Sequence, residues 1–149
     1  MTITIAVAGE TLAGERRVAL VPETAKKFTG LGAHIRMEQG AGKHSQFQDN
    51  EYLDVPTAAN LAQTYDGAQL ILRVTPPTVD EINAMPEGAV LIGLLKPFED
   101  KARLQALNAR RISAFALELL PRISRAQSMD ALSSQGACAG YQCALIAAS

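Results

Sequence analysis

Short apolar runs that alternate with helix-like segments constrain this chain more than any other feature. Residues 2–8 are rich in Ile and Val and stop at Gly9, and residues 34–39 alternate before Gly40-Ala41-Gly42. Residues 69–74 end at a Pro76-Pro77 pair, 89–95 form a continuous apolar run, and 112–116 complete the series. Such runs suit buried strands bounded by breakers. Between the first two, Pro22 fits the opening turn of a helix over 22–31, with Gly32 as its terminator. A short acidic helix is expected near 49–53, stopping before Pro56, and a brief one over 79–84. Residues 99–109, with Leu104 and Leu107 between charges, predict a modest amphipathic helix. Strands separated by helices need crossover connections, hence a parallel sheet. The right-handed crossover rule then predicts a doubly wound, Rossmann-like α/β domain, mainly parallel, with helices on both faces.

A length of 149 residues fits one domain with a real core, and 48% hydrophobic against 19% charged residues places it among globular chains. The net charge of −1 gives no basic face for nucleic acid. Cys138 and Cys143 are expected near one packed face of a helix as reduced, apolar thiols, neither a disulfide nor a zinc site. His34 and His44 have no ligand-spaced companions, so no metal is expected. The first residues carry no basic n-region, and no apolar run reaches membrane-spanning length. These features predict a cytoplasmic chain that does not itself insert into a membrane.

Residues 129–148 read as a long helix rich in Ala, Gly and Cys. Leu132, Gly136, Ala139 and Cys143 recur on one nearly smooth face, which predicts a buried helix. The expected division is an α/β domain over 1–128 and a connecting helix over 129–149. The polar run 121–135 lies at the mouth of that helix. Ser128 is placed to cap a helix starting at Met129, and Asp130, Ser133 and Ser134 share a face of its first turns. Arg122 and Gln127 can reach over its N-terminus. Two readings are open here. The cluster could present donors and acceptors to a neutral amide ligand, or Asp130 and the serines could merely cap the helix while Arg122 pairs with Asp130.

The run 121–135 resembles the nicotinamide-facing loop of the NAD(H)-binding component of proton-translocating NAD(P) transhydrogenases. Gly14-Glu15-Arg16-Arg17-Val18-Ala19-Leu20-Val21-Pro22 resembles the N-terminal signature shared by transhydrogenases and alanine dehydrogenases. The resemblance spans essentially the whole chain, but only the first domain of that component. It implies that Arg122, Asp130 and Ser133 orient the carboxamide and ring of NAD(H), with Gln127 nearest the partner nucleotide. It implies no acid or base among them, since hydride transfer between two nicotinamides needs alignment and exclusion of water. It further implies NADP(H) on a partner component, a membrane-spanning component that moves protons, a homodimer, and a peripheral place at the inner membrane.

An alternative within the same resemblance is an alanine-dehydrogenase-like oxidoreductase. There the arginine before Val-Ala binds the carboxylate of pyruvate, which would make Arg17 and Arg73 the substrate residues. The dehydrogenase's lysine is replaced by Arg73, and its histidine, due near 94–96, is missing. Arginine cannot supply a proton at neutral pH, so amination of pyruvate is disfavoured and Arg17 reads as a surface residue near a helix start. A free-standing binding or regulatory domain is a further alternative. No G-x-G-x-x-G follows a strand, because Gly136 and Gly140 fall inside a helix, and Gly40-Ala41-Gly42-Lys43-His44-Ser45 lacks phosphate-loop spacing. Gln142 and Cys143 also depart from the arginine and alanine usual there. The dinucleotide anchor is therefore expected in a second domain beyond Ser149, and weak or no NADH binding by this chain alone.

Overall fold

The computed structural model describes residues 2–148. The strands β1 (Thr4–Val7), β2 (His34–Glu38), β3 (Thr57–Ala58), β4 (Leu70–Leu72), β5 (Val90–Gly93) and β6 (Ser113–Ala116) form one sheet in the order β3-β2-β1-β4-β5-β6. Every pairing is parallel. The helices are α1 (Pro22–Gly30), α2 (Leu61–Tyr65), α3 (Val79–Ala84), α4 (Lys101–Ala109) and α5 (Ala131–Ala147). This is the doubly wound α/β fold expected from the alternating runs.

Period-two geometry in β1 splits the core between the two faces of the sheet. Ile5 and Val7 pack with Leu20, Ala25, Ile35, Met37 and Tyr52 on the α1 side. Ala6 and Ala8 point the other way, joining Tyr65, Ile71, Ile82, Met85, Leu91 and Leu107 from α2, α3, α4 and their strands. Each large side chain buried in this way stabilises the fold by about 1.5–3 kcal/mol. The sheet order reverses at β1, so the chain leaves β1 and β4 in opposite directions and opens a crevice beyond their carboxyl ends. Gly93 is packed so closely there that a β-carbon would lie 2.4 Å from the Arg73 carbonyl oxygen.

Several local expectations are corrected. Strand and helix ends shift by one or two residues, as fraying ends commonly do. The acidic segment near 49–53 is a single 3-10 turn, Asp49–Glu51, closed by reciprocal bonds between Gln48 and Glu51. The two-residue strand β3 and the five-residue helix α2 were not foreseen. The last helix starts at Ala131, not Met129, and its cap is Asp130, not Ser128, which lies within a 3-10 segment, Ser124–Met129. That helix is not buried: residues 132–148 are all exposed, including Cys138 and Cys143. Its smooth apolar face has no covering partner among the described residues. Among those residues, no helix is long and apolar enough to cross a membrane.

Candidate functional site

The loop after β1 carries the signature around Arg17 and is fastened along its length. The Gly9 amide donates to Glu38 Oε2 at 2.8 Å, and Glu10 accepts from the Val74 and Thr75 amides at 2.7 and 3.0 Å. Thr75 Oγ1 donates to the same carboxylate. Further on, Ser45 Oγ donates to the Arg16 carbonyl at 2.6 Å and Tyr52 Oη to the Leu20 carbonyl at 2.9 Å. Burial, together with the Glu51 and Asp49 charges, pushes the Tyr52 phenol up to about 12.

Arg73, just past β4, is fully buried and held between two carboxylates. Its Nη1 lies 2.9 Å from Glu81 Oε1, and its Nη2 lies 3.5 Å from Glu10 Oε2. Glu81 also closes a capping box with Thr78 at the start of α3. Desolvation opposes the Arg73 charge, yet Glu10, Tyr65 and Glu81 hold its pKa above the ordinary value. Burial likewise opposes ionisation of Glu81, but the Thr78 amide and Arg73 hold its pKa below normal. This is an ion-paired structural cluster beneath the crevice.

Arg17 and Arg73 do line one pocket of about 310 Å³ at the ends of β1, β4, β5 and β6, with Val18, Val74, Leu94 and Gln135. Both cations are already engaged. Arg17 forms a fork with Glu15, Nε to Oε1 at 2.8 Å and Nη2 to Oε2 at 2.6 Å. The hydrogen-bonded Arg17 lowers the Glu15 pKa from 4.5 to about 2. The same contact raises that of Arg17. Carboxylate-binding arginines would have to give up these partners first, which disfavours the oxo-acid alternative.

The residues of the 121–135 run meet in a neighbouring concavity of about 630 Å³, lined by Arg122, Gln127, Asp130 and Ser133 with Leu120, Pro121 and Ile123. Buried Ala126 anchors the 3-10 segment from below. Asp130 caps α5: Oδ1 accepts from the Ser133 amide at 2.9 Å and Oδ2 from the Ser133 hydroxyl at 2.6 Å. These bonds, aided by the Arg122 charge, lower the Asp130 pKa. Arg122 influences Asp130 through its charge, without a direct ion pair among the described residues. Capping and ligand presentation therefore coexist: Asp130 and Ser133 hold each other, while Arg122 and Gln127 face the opening.

All four residues predicted from sequence thus line one pocket, and Arg17 and Arg73 line another. Glu10, Glu15, Glu81 and Gln135 were missed. For Glu81 the signal was present, since Thr78 and Glu81 have capping-box spacing. The others are defined by contacts between distant segments.

The family described as Alanine dehydrogenase/PNT, N-terminal domain, matches residues 6–139. The first portion of the two-piece NAD(P) transhydrogenase subunit alpha of Rhodospirillum rubrum is 41% identical over 145 residues, covering 93% of this chain and 38% of that protein. NAD(P) transhydrogenase subunit alpha of Haemophilus influenzae is 34% identical over 144 residues, covering 97% of this chain and 28% of that protein. The chain therefore spans well under half the length of these relatives. A solved transhydrogenase from Sinorhizobium meliloti superposes with a TM-score of 0.90 at 38% identity, over 97% of this chain and 44% of the other. A solved L-alanine dehydrogenase superposes at 0.74 with 21% identity, over 78% and 32%, a likeness of fold. Match and fold agree with the crevice geometry: the chain belongs to the alanine dehydrogenase/PNT N-terminal-domain family.

Proposed function

We propose that this chain forms the nicotinamide-side wall of the NAD(H) site in an NAD(P) transhydrogenase. The reaction moves a hydride from C4 of the NADH ring to C4 of NADP⁺, giving NAD⁺ and NADPH. A membrane-spanning component couples that transfer to proton movement. The observation that carries the reading is the convergence of Arg122, Gln127, Asp130 and Ser133 on one open pocket. Its chemistry fits a carboxamide, which needs both donors and acceptors: guanidinium N–H groups, an amide of either sense, a carboxylate and a hydroxyl. The apolar rim of Leu120, Pro121 and Ile123 suits a ring face.

In this reading Arg122, Asp130 and Ser133 fix the carboxamide and ring, and Gln127 stands toward the NADP(H) of the partner component. None donates or removes a proton; their work is alignment. The pyrophosphate is held elsewhere, by a second domain toward which α5 (after an α/β unit over 1–128) leads. The assembled protein is a homodimer bound peripherally to the inner membrane through its partners. Two things support this role: the kinship with transhydrogenase alpha subunits and the fit of the pocket.

The test uses the assembled enzyme supplied with NADH deuterated at C4 and with NADP⁺. Deuterium appearing in NADPH, without exchange with water, is the expected result. Oxidation of NADH that depends on pyruvate and ammonia would instead establish the dehydrogenase chemistry, and neither activity would favour a binding module.

A further inference from the structure

Arg17 is not among the residues assigned to the nicotinamide pocket, yet it joins the best-fastened loop of the domain to the helix that carries two of them. Its Nη1 donates to Gln135 Oε1 at 3.1 Å, across 118 residues of chain. The bidentate contact with Glu15 fixes the plane of the guanidinium. That leaves Nη1 aimed at α5. Glu15 itself is locked to the loop, because its Oε1 also accepts from the Arg16 and Arg17 amides at 3.0 and 2.9 Å. The loop in turn is pinned to β2, β4 and the 3-10 turns through Glu38, Glu10, Ser45 and Tyr52.

The receiving end is placed where a hold has leverage. Gln135 lies one helical turn beyond Ala131, and both line the Arg17 pocket. Asp130 and Ser133 line the other pocket. A helix turns 100° per residue and moves as a unit over so short a span. Fixing Gln135 therefore fixes the rotation and height of the first turn, and with them the cap that faces the proposed nicotinamide. The rest of α5 is exposed, so packing does little to hold that turn.

We propose that Arg17 is a positioning residue: through Gln135 it sets the orientation of the Asp130–Ser133 turn toward the bound nicotinamide. The inference rests on the nicotinamide reading of that pocket. It gives the signature arginine a role other than binding a substrate carboxylate. Because the turn is held alike before and during hydride transfer, its loss weakens binding of substrate and transition state together. The effect falls on KM for NADH and leaves kcat nearly unchanged.

The experiment compares Gln135→Leu, Gln135→Glu, Arg17→Ala and the Arg17→Ala/Gln135→Leu double variant in the full assembled enzyme. Amide hydrogen exchange over residues 133–138 is followed in the same proteins. Gln135→Leu leaves the Glu15–Arg17 fork intact, so it tests the bridge without disturbing the loop. The expected result is a KM for NADH raised about three- to tenfold, in keeping with one partly exposed charge-assisted hydrogen bond, and faster exchange over the first turns of α5. Gln135→Glu keeps an acceptor and restores the wild-type KM, and the double variant is no worse than Arg17→Ala. An unchanged KM in Gln135→Leu overturns the proposal while leaving the transhydrogenase reading intact. If the wild type transfers no hydride, that reading fails. Exchange then decides the bridge by itself: faster exchange in Gln135→Leu supports the positioning of the turn, and unchanged exchange overturns it.

Discussion

Single residues divide here into those that hold the fold and those that face the openings. Arg73 belongs wholly to the first group. Replacing it with Met leaves Glu10 and Glu81 buried beside one another with no cation between them. Urea unfolding of Arg73→Met should show a loss of about 3–5 kcal/mol; a loss below about 1 kcal/mol would mean the cluster is well solvated. Glu15 gives a pH signature. Its folded pKa of about 2 lies below its ordinary 4.5, so its contribution is present above pH 4.5 and lost as pH falls through 2. The stability gap between wild type and Glu15→Gln should be at most about 1 kcal/mol at neutral pH and should close on acidification. A gap that widens in acid would contradict the assignment. At this scale the sequence was legible where a residue's neighbours are local. Arg122, Asp130 and Ser133 lie within one short run, and the structure gathers them. Arg73 could be flagged as unusual, but Glu10 lies 63 residues away, and only the folded chain brings the two together.

At the scale of elements, the long apolar strands were readable because burial on both faces leaves a continuous run. β3 and α2 were not, since two and five residues are too few to display a period. The error over α5 has a different origin. Its smooth face described what the helix can pack against, and hydrophobicity does not say whether a partner is present. Asp130 displaces Ser128 as its cap because the 3-10 segment continues through Met129. The approach of β5 to the end of β4 supplies a further test. Gly93→Ala sets a β-carbon against the Arg73 carbonyl, and neither backbone can yield without separating the strands. A destabilisation of about 1–3 kcal/mol is expected in thermal or urea unfolding, and a neutral result would show that the two strands move apart freely.

For the molecule as a whole, the exposed α5 and the proposed second domain make a joint prediction. Cys138 and Cys143 should react rapidly with a thiol reagent in the chain of residues 1–149, where both are exposed. At least one should be protected in the assembled enzyme, where the proposed docking covers a face of the helix. Equal labelling rates in the two forms would place the second domain away from α5. The sheet order carries another consequence, in the time domain. β1 is flanked by β2 and β4, and its Ile5 pairs with residues 35 and 70. During synthesis the strand at the centre of the sheet is thus made well before either neighbour exists. Long-range parallel pairing of this kind is slow, and a waiting apolar strand with two open edges invites wrong partners. Nascent chains that have passed β2 but not β4 are the interval in which this domain most needs a chaperone's protection.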